Sequence, residues 1–321
     1  MTDEVPARTV YQVLLYYQFV PIDDPATFAS EHLAFCRGLG LRGRVLVATE
    51  GLNGTVSGTV ESCRTYMDTM HADPRFNEMV FKIDDVDDHV FRKMFVRVKK
   101  ELVTFRADND SNPIHGTGRY LEPAEWLEML KKDDVIVIDG RTDYEYDVGH
   151  FRGAIRPDTT SFKEFPTWIR EHLSADKNRP ILTYCTGGIR CEKLTAYMKN
   201  EGFTNVYQLH GGIVSYGKDA DTQGAMWDGL CYVFDERIAV PINHTVDRQI
   251  VGKCHHCGTP TERYVNCANV ECNLQHLSCE SCEARMDRSC SKSCRAAPRH
   301  DVLRPQWREE RSLQRKAAHS K

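Results

Sequence analysis

The segment YCTGGIRC, residues 184–191, sets a thiol, two glycines and a guanidinium within one short loop. Cys185 follows the apolar run ILTY, and four residues separate it from Arg190. Glycines at 187 and 188 let backbone N–H groups turn inward and form a concavity that suits an anion. A helix beginning near Cys191 would add the positive end of its dipole, and Arg190 a permanent charge. Each effect favours thiolate over thiol, so Cys185 is expected to be a nucleophile rather than a small core residue. Cys191 admits two readings, a thiol that resolves an oxidised or persulfidated Cys185 or a helix residue packed on the sheet. Asp139 and Arg141 end a second apolar run, VIVID, where open α/β sheets place their chemistry. Thr142 with Glu145 reads there as a helix capping box, which is a structural role only.

A second group of sulfurs lies downstream. Cys254, Cys257, Cys267, Cys272, Cys279, Cys282, Cys290 and Cys294 form four close pairs. Eight thiolates make two tetrahedral sites, so two structural zinc ions are expected, with metal providing folding energy that so few apolar residues cannot. His255, His256 and His276 are possible substitutes for a thiolate. The pairs can combine in sequence or crosswise. Cys36, Cys63 and Cys231 fall in periodic segments and read as core.

Basic residues concentrate at Arg92, Lys93, Arg97, Lys99, Lys100 and Arg106, beside Phe91, Phe95 and Phe105. Charges mixed with aromatics suit phosphate contact and base stacking, although a solvated strand face has the same composition. The arginine-rich end from Arg295 onward is a second candidate for RNA contact.

The elements that must position these residues fall into distinct patterns. Strands at 10–17 and 43–48, helices at 25–38 and 59–71, a glycine-punctuated turn with a short strand at GLNGTVSG, and a strand at MVFKI give β-α-β-β-α-β. That order predicts an α+β sandwich of the ferredoxin or acylphosphatase kind. From residue 119, apolar strands alternate with helices and predict an α/β parallel sheet. The expected divisions are an N-terminal domain at 1–106, a linker at 107–118, a sheet domain at 119–225, a connector at 226–250, a cysteine-rich module at 251–297 and a basic tail at 298–321.

The 321 residues carry a net charge of −4, so any nucleic-acid binding must come from local patches. The start MTDEVPARTV lacks the pattern of a signal peptide, and no apolar run is long enough to span a bilayer. A cytoplasmic protein with reduced or metal-bound cysteines is expected. No glycine fingerprint of a dinucleotide site follows a strand, so neither flavin nor nicotinamide is expected.

DGRTDYEYDVGHFRGAI together with YCTGGIRC resembles a rhodanese domain, with Cys185 at the persulfide-forming position. EGLNGTVSG, VRVKKELVTF, GRYLEPAEW, YQLHGGI and FDERIAV extend the likeness over nearly the whole chain to the rhodanese-containing tRNA uridine hydroxylases. The resemblance implies hydroxylation of the wobble uridine to 5-hydroxyuridine, with molecular oxygen as co-substrate and the tRNA anticodon region as partner. It implies neither a membrane nor a protein partner. Gly140 departs from the usual valine or threonine of the DxR motif. Two chemical routes stay open, addition of a Cys185 thiolate to C6 of uracil or action through a Cys185 persulfide. A sulfurtransferase or persulfide carrier uses the same loop, and a non-catalytic RNA-binding adaptor is a third reading that the intact loop disfavours.

Overall fold

The computed structural model describes residues 11–107 and 111–302. The segment MTDEVPARTV and most of the basic tail lie outside those residues. Two compact units emerge, one of residues up to Asp143 with Gly153–Thr222, the other of Tyr144–Arg152 with residues from Gln223 onward.

The first unit opens with β1 (Tyr11–Phe19), α1 (Pro25–Gly38), β2 (Arg42–Ala48), β3 (Gly51–Thr59), α2 (Val60–Ala72), β4 (Lys82–Val86) and β5 (Met94–Val98). Asp24 caps α1 by accepting the N–H groups of Ala26 and Thr27 at 3.1 and 3.0 Å, and Pro25 stands where its missing N–H costs nothing. Thr59 caps α2 in the same way. The strands form one sheet in the order β4-β1-β3-β2-β5. Leu14, Tyr16, Val45, Val47, Leu52 and Val56 bury one face of it with Cys36 of α1 and with Cys63 and Tyr66 of α2. The sandwich expected from the sequence is therefore present, with three differences in detail. GLNGTVSG is not a turn but most of β3, whose glycines let neighbours approach; a Cβ on Gly54 would lie 2.4 Å from the Tyr16 ring. The MVFKI strand starts at Lys82 rather than Met79, whose side chain is core. The basic segment adds a fifth strand, β5, parallel to β2 at the sheet edge.

The chain continues through β6 (Arg119–Leu121), α3 (Pro123–Leu130), β7 (Ile136–Asp139), α4 (Asp143–Val148), β8 (Gly149–Phe151), α5 (Phe165–Leu173), β9 (Ile181–Tyr184), α6 (Ile189–Asn200), β10 (Val206–Leu209) and α7 (Gly212–Tyr216). Four strands pair in the order β6-β10-β9-β7, all parallel. Every residue of β7 and β9 is buried, as expected for a sheet covered by helices. Ile136, Ile138, Phe165, Ile169, Ile181, Leu194 and Tyr197 make the core, joined by Phe105.

In the second unit, β8 pairs antiparallel with β11 (Trp227–Tyr232), which also pairs with β12 (Ala239–Pro241). Phe151 packs edge-on against Trp227 at 5.1 Å. A hairpin of β13 (Tyr264–Asn266) and β14 (Gln275–Leu277) and two short helices, α8 (Glu280–Arg285) and α9 (Lys292–Arg295), carry the cysteine pairs. Among the described residues no helix is long and apolar enough to cross a membrane.

Candidate active site

Strand β9 delivers Cys185 to its carboxyl end, and α6 starts four residues later. Gly188, at φ +104°, takes the helix N-cap position and donates its N–H to the Cys185 sulfur at 3.2 Å. Burial opposes ionisation of this thiol, which is 1% exposed. The Cys191 thiol, the Arg190 charge and the N–H groups of residues 190 and 191 outweigh that cost and hold Cys185 at about 6. Burial and the neighbouring Cys185 charge push Cys191 well up, so it stays a thiol and donates to its partner. The structure thus brings Cys185, Arg190 and Cys191 together. Arg190 also donates to the Thr186 hydroxyl at 3.3 Å.

The loop is fixed from below by α7, where the N–H groups of Ile213 and Val214 donate to the carbonyls of Cys185 and Thr186 at 3.0 and 3.1 Å. This contact explains the paired glycines of YQLHGGI. Gly212, at φ +71°, has no room for a Cβ, which would meet the Cys185 carbonyl and the Gly188 nitrogen at 2.7 Å. Asp139 and Arg141 do not reach the surface. They form a fully buried pair, with Arg141 donating to both carboxylate oxygens at 2.8 and 2.6 Å. Gly140 between them donates its N–H to the Tyr184 carbonyl at 2.8 Å, and a Cβ there would meet that oxygen at 3.0 Å and the Cys191 sulfur at 3.5 Å. That hydrogen bond ties their turn to the end of β9, next to the thiol loop.

Strand β1 covers the loop. Leu15 packs on Gly187, and the Tyr17 hydroxyl lies 2.8 Å from where a Gly188 Cβ would be. Tyr17 also lines a cleft of 280 Å³ with Phe19, Lys82, Tyr120, Glu192 and His210. Glu192 is buried and saturated, accepting from Tyr17 at 2.7 Å, Tyr120 at 2.9 Å and Gln208 at 3.1 Å. It thereby fixes two aromatic rings beside the thiol loop. Loss of water lowers Lys82 to about 8, against the opposing pull of the Cys185 and Glu192 charges. Next in α6, Lys193 is buried and pairs with Glu50 at 2.9 Å and Glu101 at 3.2 Å, tying the β2–β3 turn and the basic segment to this helix.

The cysteine pairs converge crosswise. Cys254, Cys257, Cys279 and Cys282 form one group and Cys267, Cys272, Cys290 and Cys294 another, the sulfurs of each lying within 4.8 Å of one another. Backbone N–H groups aimed at Cys254 overcome its burial and hold it near 5, while hydrogen bonds from Ser291 and Asn269 lower Cys294 to about 6. Burial and the neighbouring sulfurs push Cys282 and Cys290 up to about 12, so four sulfurs this close can all be thiolates only around a cation, and four sulfurs are the donor set of a structural tetrahedral site. Each group is complete in sulfur; His255, His256 and His276 stand outside both.

Three family models match the chain. An acylphosphatase-like domain called UPF0176 matches residues 11–102, a rhodanese-like domain 122–219 and a rhodanese C-terminal domain 228–295. A tRNA uridine(34) hydroxylase of Bacillus licheniformis is 55% identical over 96% of this chain and 95% of its own. Its namesake in Bacillus thuringiensis is 57% identical over 90% and 91%. The chain belongs to the tRNA uridine(34) hydroxylase family. Members of this hydroxylase family at such identity are enzymes by name, and the loop just described lies in the part of this chain that matches the rhodanese-like domain.

The remaining expected residues of this family member are dispersed. Arg92, Lys93, Arg97, Lys99 and Lys100 are exposed on and around β5, with the Arg97 guanidinium 5.3 Å from the centre of the Phe95 ring. Phe105 is not available for stacking, because it is buried between Phe162 and Tyr197. Sequence reasoning missed the cleft residues Tyr17, Lys82, Tyr120, Glu192 and His210. For Glu192 a signal existed, as an acid one residue past Cys191 on a helix whose next residues are buried. For Tyr17 and Lys82 none did.

Proposed function

We propose that this chain hydroxylates C5 of uridine 34, the wobble nucleotide of the tRNA anticodon, with molecular oxygen as co-substrate, in the cytoplasm. One observation carries the reading in chemical terms: Tyr17 belongs both to the cover of an ionisable thiol and to an aromatic cleft. An extruded uracil entering that cleft meets ring faces from Tyr17, Phe19 and Tyr120 and a cation from Lys82. The Cys185 thiolate adds to C6 once Tyr17 moves aside, and electron density passes to C5 and O4. Lys82 and the loop amides oppose the negative charge that develops. C5 then takes oxygen. Exposed charges along β5 hold the tRNA backbone. Zinc in each four-sulfur group would be bound by Cys254, Cys257, Cys279 and Cys282 and by Cys267, Cys272, Cys290 and Cys294, and would supply fold stability.

Nucleoside mass spectrometry of tRNA from cells lacking the protein tests the activity. The expected result is loss of 5-hydroxyuridine, restored by the native chain and not by Cys185→Ser. Restoration by Cys185→Ser would overturn the assignment. Substrate tRNA carrying 5-fluorouridine at the wobble position tests the route. A covalent adduct that needs Cys185 supports addition to C6, whereas a persulfide on Cys185 without adduct supports the persulfide route. Elemental analysis of anaerobically purified protein is expected to find about two zinc ions per chain; a folded cysteine-rich region without zinc would refute the metal assignment.

A further inference from the structure

Hydroxylation by molecular oxygen leaves two electrons to be supplied, because one oxygen atom enters the base and the other leaves as water. Cys191 has no part in the steps above, yet it stands in the first turn of α6 directly behind the loop, its thiol is hydrogen-bonded to Cys185, and both residues are almost completely sealed from solvent. We propose that the Cys185–Cys191 dithiol is the two-electron donor of the reaction and that each turnover leaves it as a disulfide. This inference rests on the hydroxylase reading.

The atoms balance as follows. Addition of Cys185 to C6 gives a carbanion at C5, which takes O2 and a proton to become a C5 hydroperoxide. The Cys191 sulfur attacks the distal oxygen, the O–O bond breaks, C5 keeps a hydroxyl group and Cys191 becomes a sulfenic acid. Loss of the C5 proton then breaks the C6–S bond, releasing 5-hydroxyuridine and the Cys185 thiolate. That thiolate attacks the Cys191 sulfenic sulfur, an S–S bond forms and water departs. In sum, uridine, O2 and two thiols give 5-hydroxyuridine, a disulfide and water.

Three features of the site favour Cys191 for this task. While Cys185 is bonded to the base, Cys191 is the sulfur left next to it. Its thiol is hydrogen-bonded to Thr183 as well as to Cys185, which holds it in place at the start of α6. Burial shields a sulfenic acid from a second oxidation long enough for its neighbour to close the disulfide. The other cysteines are spoken for, eight in the two sulfur groups and Cys36, Cys63 and Cys231 buried elsewhere in the two units. A dithiol-reducing system must therefore act between turnovers.

The test is a single turnover. Full-length zinc-loaded protein is reduced, freed of reductant without air, and mixed with oxygenated buffer and tRNA lacking the modification. The expected yield is about one 5-hydroxyuridine per chain, with the peptide spanning both cysteines recovered as an internal disulfide, and dithiothreitol restores repeated turnover. Cys191→Ser is expected to bind tRNA like the native chain and to lose the product burst. A native burst that leaves both thiols free, a persulfide consumed in their place, or a full burst from Cys191→Ser would overturn the proposal. Absence of product from the native chain even with dithiothreitol would instead strike the hydroxylase reading on which it rests.

Discussion

Cys185 ionises near 6 although it is buried, and Lys82 loses its proton near 8. If the thiolate attacks and the ammonium opposes the charge that results, both must be present together. Activity should then fall about tenfold for each pH unit below 6, as the thiolate takes up its proton. It should fall again above 8, where Lys82 becomes neutral. Arg190→Met should raise the acid limb by about one unit, since its charge is one of the forces that lower Cys185; an unmoved limb would assign Arg190 to binding alone. Asp139→Ala acts differently. It removes the carboxylate that pairs with the buried Arg141 guanidinium and should cost about 3–5 kcal/mol of stability, measured by denaturant unfolding. The thiol loop was legible because thiol, glycines and arginine are neighbours in sequence and their backbone geometry is local. Tyr17 and Lys82 were not, because only the placement of β1 and β4 against a helix start far along the chain brings them there.

Elements repeat that division. The parallel sheet was readable from VIVI and ILTY, runs too uniformly apolar for a half-exposed strand. β3 was not, because its glycines mimic a turn, and their reason is close approach of Tyr16 and Leu41. β5 was read as a basic alternation and became an edge strand, whose outer edge pairs with no other strand among the described residues and whose charges discourage another strand from adding to it. Alanine at Arg97, Lys99 and Lys100 together should weaken tRNA binding and lower the slope of log affinity against log salt by about two to three. An unchanged slope would leave these charges that protective task alone.

Across the first unit, β1 serves two masters. Leu14 and Tyr16 fill the N-terminal core, while the alternate residues Leu15 and Tyr17 cover the thiol loop. A one-residue slip in its pairing with β3 would exchange the two sets, so the nine-residue register protects the site as well as the core. Tyr17→Ala should therefore speed alkylation of Cys185 by iodoacetamide without unfolding the chain, read by peptide mass spectrometry and circular dichroism. An unaltered rate would mean that Leu15 and the loop alone seal the sulfur. The buried Lys193 with Glu50 and Glu101 clamps the same two layers, and no single segment of sequence could announce a contact whose three members lie so far apart.

The crosswise arrangement of the cysteine pairs has a consequence for how the chain is made. As it leaves the ribosome from its N-terminus, Cys254, Cys257, Cys267 and Cys272 emerge before either proper partner pair exists. Those four can grip one metal ion prematurely, in a set that must be dismantled later. The first native site cannot close until Cys282 is out, nor the second until Cys294 follows. Once such a set had formed, metal exchange between rival thiolate sets, rather than metal capture, would govern how fast the module matures. Scarce free metal during synthesis would favour the native pairing, because an early ion would reward the wrong four sulfurs.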